Sequence, residues 1–218
     1  MSIQVNSYHH SKKKRLLDLF IASLMFLVSL PLIIFISIII FFTAGSPVFY
    51  LQKRSGLNKK PFTIYKFRTM ELNASDKQSK LQHLNQAPKP MFKIHNDPRF
   101  VGVGRWLSNT GLDELPQLLN IIKGEMSLVG PRPLPTPEAS KLSKKWDFRF
   151  LVKPGLFSYW TLDDRRHDSL ESWMELEVQT IGIKNVSENV LVIKKTLYRQ
   201  IIVSLLKNNI VKFFNNKL

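Results

Sequence analysis

From Leu19 to Phe42 the chain runs 24 residues without a charge, interrupted only by Ser23, Ser29, Pro31 and Ser37. About 20 apolar residues in a helix suffice to cross the hydrocarbon of a bilayer, so this stretch crosses a membrane or lies in one. It is too long for the apolar core of a signal peptide, and no small-x-small cleavage site follows it cleanly. Lys12, Lys13, Lys14 and Arg15 precede it, and Lys53, Arg54, Lys59, Lys60, Lys66 and Arg68 follow it. Basic flanks belong on the cytoplasmic side, and here both flanks claim that side. A simple span leaves the conflict standing. A re-entrant helix that enters, breaks at Pro31 and returns to the same face removes it, so the flanks favour that topology. Pro31 lacks an N–H, and Ser29 is placed to satisfy a carbonyl it frees.

Charge follows the same division. The chain of 218 residues has a formal charge of +16, of which +9 falls in residues 1–70, +1 in 71–188 and +6 in 189–218. A nucleic-acid binder carries its basic stripe on the folded domain. Here the middle is nearly neutral and the ends are basic, which points to anionic membrane lipid and away from nucleic acid. The chain has no cysteine, which excludes a disulfide framework, a thiolate metal site and a cysteine nucleophile. Near the C-terminus Ile193, Leu197, Ile201 and Leu205 recur every four residues, with Lys194, Lys195, Arg199 and Lys207 off that line. That is the pattern of a basic amphipathic helix lying at a membrane surface, or of one packed on the domain with a solvated basic face.

The parts expected are therefore a basic N-terminus and membrane helix over 1–44, a catalytic domain over 45–190, and an amphipathic basic helix over 191–218. The fold class is α/β (α+β-like): a small membrane-seated domain with short strands and short helices. Val48–Leu51 and Phe62–Tyr65 read as short strands, and residues 73–90 as a polar loop or short helix.

The chemistry concentrates between Asp97 and Pro137. Thr110 is expected to cap a helix beginning at Gly111, which puts Asp113 and Glu114 in its first turn. Alone, that pair is an ordinary complement to the helix dipole. The run Gly130-Pro131-Arg132-Pro133 adds a second element, because flanking prolines stiffen the backbone around a guanidinium suited to a phosphate. An acid pair beside such a donor can hold magnesium together with phosphate oxygens, and a carboxylate can attack phosphorus.

Several blocks together resemble the bacterial sugar transferase family, the small monotopic phosphoglycosyl transferases that begin glycan assembly on polyprenol phosphate. They are Gly45–Phe49, Gln52–Gly56, Lys66–Met70, Asn96–Arg99, Leu112–Gln117, Lys123–Pro133 and Lys153–Gly155, with Lys195-Thr196 closing weakly. The resemblance covers roughly residues 12–200. It implies transfer of a phospho-sugar from a nucleotide sugar, usually UDP-linked, to undecaprenyl phosphate at the cytoplasmic face of the bacterial inner membrane. That step initiates exopolysaccharide, O-antigen or glycoprotein glycan synthesis, with downstream glycosyltransferases as possible partners. The resemblance implies Asp113 as the nucleophile forming an aspartyl phospho-sugar, Glu114 as its partner acid, and both near Mg2+. It implies Lys66 and Arg132 as phosphate- or substrate-binding residues, with Arg68, Arg99 and Arg165 as further candidates, and Ser29 and Pro31 at the break of the membrane helix.

The chain also departs from the family pattern. The usual Arg five residues before the nucleophile is Ser108 here, and Arg105, one turn earlier, is the candidate replacement. After Gly155 the family's Ile-Thr-Gly-Trp-Ala-Gln is replaced by Leu156–Thr161, and Leu-Asp-x-x-Tyr by Leu176-Glu177-Val178-Gln179-Thr180. These changes leave a second reading open: a catalytically silent relative that scaffolds a membrane glycan-assembly complex.

Overall fold

The computed structural model describes residues 5–94 and 96–215, and for 201–215 the helical backbone alone. Helix α1 spans Lys12–Ala44. Ser11 starts it by accepting the Lys14 N–H at 3.1 Å, and Gly45 ends it at a φ of +78°. The helix runs through Pro31 without interruption, so the expected break is not seen. Ser29 does not serve the carbonyl four residues before Pro31, that of Leu27. Its hydroxyl donates to Phe26 at 3.2 Å.

What brings both ends of α1 to one domain is one-sided packing. Lys14, Asp18, Ala22, Ile33, Ile36 and Ile40 are buried, and Met25 and Phe26 are partly so. Spaced by three and four, these positions form a single stripe along the helix. The first half of the stripe packs on Ile121, Met126 and Leu128, and the second half on Phe67 and Leu107. From Leu16 to Phe42 the opposite face stays exposed and apolar, with Phe20, Leu24, Val28, Ile34, Phe35 and Phe42 among its side chains. A soluble surface does not carry an apolar face of that extent uncovered.

The first turns of α1 are held by polar contacts that exclude water. Lys14 and Asp18 are only 2% and 3% exposed. The Lys14 ammonium lies 2.8 Å from Asp18 Oδ1, Ser127 Oγ donates to Asp18 Oδ2 at 2.8 Å, and the Leu128 N–H donates to Oδ1 at 3.1 Å. Arg15 donates to the carbonyls of Ile121 and Ile122 at 2.7 and 2.8 Å. This corrects the charge reading: Lys14 and Arg15, counted as lipid-facing, are committed to the protein.

Strands β1 (Phe49–Ser55) and β2 (Pro61–Phe67) form an antiparallel hairpin in which Tyr50 faces Lys66 and Arg54 faces Phe62. The strands expected from the sequence are present and extend further. Residues 79–84 form a 3-10 turn in the polar stretch. Helix α2 (Gly104–Thr110) ends where the sequence suggested a beginning. The Thr110 hydroxyl donates back to Trp106 and Leu107, and Gly111 takes the left-handed conformation that stops the helix. A 3-10 segment, Leu112–Gln117, then carries the acid pair into α3 (Leu118–Lys123).

Beyond α3, β3 (Ser127–Val129) pairs in parallel with β4 (Gly155–Phe157), and the short α4 (Thr136–Ala139) lies between them in the chain. The two strands approach so closely at Gly130 and Gly155 that a Cβ on Gly155 would sit 2.0 Å from the Gly130 nitrogen. Helix α5 (Leu170–Ile181) packs Trp173 and Met174 against Trp160, Phe148 and Phe150. Helix α6 (Val186–Asn215) buries Asn189, Val192, Ile193 and Thr196 in the domain. Leu197, placed on the apolar line by its spacing, is 37% exposed, and the side chains of Ile201 and Leu205 lie outside the described residues.

Two outcomes follow. Asp18→Ala leaves the Lys14 ammonium buried without its anion and is expected to cost about 3–5 kcal/mol of stability, read as a lowered melting temperature in detergent. Single cysteines at the exposed Lys12 and Lys53, on either side of the apolar stretch of α1, are expected to react with a membrane-impermeant reagent together or not at all. Labelling of only one in intact cells would show a span instead.

Candidate active site

The acid pair sits where three stretches of chain converge. Gly111 turns the chain so that the Glu114 N–H donates to the Gly111 carbonyl at 3.1 Å, and the 3-10 segment presents Asp113 and Glu114 toward β2. Strand β2 is tied to the adjoining helix α3 by Asn120. Its amide donates to Thr63 O at 2.7 Å, and its oxygen accepts the Tyr65 N–H at 3.1 Å. The next residue along the strand is Lys66. Its ammonium lies 2.7 Å from Glu114 Oε1 and 3.6 Å from Asp113 Oδ2.

Arg132 arrives from the other side, with Nη2 at 3.3 Å from the same Glu114 oxygen and its guanidinium 4.7 Å above the Trp160 ring. Its backbone is clamped at both ends. The Arg132 N–H donates to Glu177 Oε1 at 3.2 Å, and Arg149 donates to the Arg132 carbonyl. Glu177 is fully buried and also receives Trp173 Nε1 at 3.0 Å and Arg149 Nη2 at 3.2 Å. Glu177, noted from the sequence only as a departure from an aspartate, is thus the carboxylate that fixes the Pro-Arg-Pro turn. Its signal was available in the i,i+4 spacing from Trp173, but its partner Arg149 carried none.

The environment drives the two acids apart. Burial raises the Asp113 carboxyl above the usual range, the charge of Glu114 adds to that, and Lys66 opposes it. Burial would raise Glu114 too, but Lys66 and Arg132 overrule it and hold Glu114 well below the usual carboxylate range. Two further cations reach the cluster. Arg54 lines the same cleft as Lys66, Glu114 and Arg132. Lys93 is open to solvent on one side, yet protein crowds its ammonium, and that desolvation, with Arg132 and Lys66 nearby, brings it down to about 8. Arg54 was legible in principle, because two-residue alternation on the paired strands puts it on the face of Lys66.

The other basic candidates are not brought to the acid pair. Arg68 is buried at the C-terminus of α1, donating to the carbonyls of Ala44 and, at 2.6 Å, of Gly45. Arg99 makes a two-point pair with the buried Asp97, at 2.8 and 2.6 Å, and donates to Ala74 O. Arg165 is exposed and pairs with Asp163 at 2.8 Å. Arg105 is exposed on α2 and has no ion pair among the described residues. Arg68 and Arg99 act as structural ties, with their charge consumed by carbonyls and by Asp97.

A model of the bacterial sugar transferase family matches residues 9–202. The chain belongs to that family. It is 38% identical to the uncharacterized sugar transferase EpsL of Bacillus subtilis, over 76% of this chain and 75% of the relative. It is 34% identical to the exopolysaccharide production protein ExoY of Rhizobium meliloti, over 84% and 83%. It is also 34% identical to the undecaprenyl-phosphate galactose phosphotransferase of Salmonella typhimurium, over 76% of this chain and 36% of that relative. The chain spans about a third of the length of several relatives it matches, the last among them.

The split between the acids is open to measurement. An isotope-edited infrared titration is expected to place the Asp113 carboxyl above an ordinary aspartate while Glu114 stays ionised. Lys66→Met removes the cation that favours the charged form of Asp113, so its titration is expected to move further up, by about one to three pH units. An unchanged or downward move would contradict this electrostatic assignment.

Proposed function

We propose that the protein transfers a phospho-sugar from a nucleotide sugar, with UDP as the nucleotide, to undecaprenyl phosphate at the cytoplasmic face of the membrane. The observation that carries this is the position of Asp113: a nearly buried carboxylate 3.6 Å from Lys66, which itself lines a cleft with Glu114, Arg54 and Arg132. With Lys93 the cluster has four cations against two acids, an excess that suits the charge of a diphosphate. The family, and relatives named for undecaprenyl-phosphate galactose and glucose phosphotransfer, support the same reaction.

In the first step an Asp113 carboxylate oxygen attacks the sugar-bearing phosphorus. A new O–P bond forms, the bridging P–O bond breaks, and the nucleoside monophosphate leaves with the bonding electron pair. In the second step a phosphate oxygen of the lipid attacks the same phosphorus and the Asp113 O–P bond breaks, giving the lipid diphosphate sugar and restoring the carboxylate. Lys66 favours the ionised form of Asp113 that attacks, against the pull of burial, and Arg132, stiffened by Pro131, Pro133 and the Glu177 clamp, orients phosphate oxygens.

Asp113 and Glu114 would hold Mg2+. Two adjacent carboxylates and no third protein ligand among the described residues fit an ion that takes its remaining oxygens from phosphate and water. When bound, the ion supplies charge neutralisation on the diphosphate. The exposed apolar face of α1 would lie in the headgroup and acyl boundary, where the lipid phosphate is also found.

Membranes carrying the protein, supplied with magnesium, undecaprenyl phosphate and a panel of UDP-sugars, are expected to release UMP with at least one donor. Asp113→Asn is expected to lower release at least about a thousandfold. No release with any donor, or full release from Asp113→Asn, would leave a silent scaffold as the better description.

A further inference from the structure

Lys66 and Arg132 in the cleft already have a partner in Glu114, and Arg54 spends its terminal nitrogens on Pro133 O at 3.0 Å and on Gln52. Gln117 differs. It lines the same cleft, it is 2% exposed, and its side-chain nitrogen has no hydrogen-bond partner among the described residues. A buried amide without an acceptor is destabilising, and such a group in a native fold calls for an explanation, a ligand or a water among them. The local backbone explains its position. Gln117 follows Glu114 by three residues in a 3-10 segment, where side chains three apart eclipse one another. The two therefore stand one above the other on the cleft side. Pro116, between them, contributes no N–H to the site, and the side-chain amide of Gln117 is a donor this turn can offer.

We infer that Gln117 is a substrate-binding residue whose amide nitrogen donates to a phosphate oxygen of the donor diphosphate held among Arg54, Lys66 and Arg132. This rests on the phospho-sugar transfer proposed above. A neutral donor has a use that a further cation would not. It adds a directed hydrogen bond as charge shifts onto the phosphate oxygens, without adding Coulomb attraction that would retain the departing monophosphate.

The test compares wild type, Gln117→Met and Gln117→Glu in detergent without added divalent cation, with inorganic pyrophosphate as the calorimetric probe. Gln117→Met keeps the length and loses the donor. Its affinity for pyrophosphate is expected to fall about tenfold, KM for the nucleotide sugar to rise by a similar factor, and the melting temperature to hold or rise because a buried orphan group is gone. Gln117→Glu places a carboxylate against phosphate and is expected to weaken binding by about a hundredfold or more. Wild-type affinity in either folded variant, a lowered melting temperature with unchanged affinity, unfolding of both variants, or no binding by wild type would each overturn the assignment. If wild type binds pyrophosphate and the series behaves as expected, but no nucleotide sugar is turned over, the transfer reaction falls and the anion-binding role of Gln117 stands.

Discussion

Glu114 is the joint on which the site depends. One carboxylate oxygen accepts both Lys66 from the hairpin and Arg132 from the Pro-Arg-Pro turn, so three distant stretches of chain are held in register by one atom. Without that anion two cations would stand close together in a half-buried cleft, and their repulsion would drive the hairpin and the turn apart. The same arrangement leaves Asp113, its neighbour in sequence, short of partners. Lys66 reaches it only at 3.6 Å. The sequence pair Asp-Glu thus divides into one carboxylate tied to two cations and one with a single, more distant cation, and the division comes from which of the two the cations meet first.

Behind this joint lies a second layer that is drier and more rigid. Glu177 gathers the Arg132 backbone, Arg149 and Trp173, and all of these partners but Arg132 itself are buried. A buried pair of this kind contributes little net stability but is costly to leave half-made. Its value here is geometric: a guanidinium on a mobile turn would sample many directions, whereas this one is held by both ends of its peptide and laid on an indole face.

Much of the site could be read from the sequence, and the reason for the remainder is physical. Asp113, Glu114, Lys66 and Arg132 stood in short runs whose residue types suit phosphate chemistry, and they meet in space. Arg68 and Arg99 stood in runs just as distinctive, but a guanidinium serves carbonyl oxygens as well as phosphates, and only the fold tells which it finds. Thr110 looked like a helix start because a threonine before an acid pair is a common capping pattern. Gly111 decided otherwise by taking a left-handed conformation and ending the helix before it. Arg149 and Lys93 were invisible because they reach the cluster across long separations in sequence with no motif to mark them. In α1 the pattern was apolar on every side, so no periodicity could show which stripe would be covered.

That covered stripe has a consequence for how the molecule is oriented. With one face of α1 fastened along the domain, the helix cannot roll about its own axis independently of the cleft. Whatever depth and azimuth the apolar face adopts in hydrocarbon, the domain inherits them. The cleft therefore keeps one bearing relative to that apolar face, whatever the face rests on.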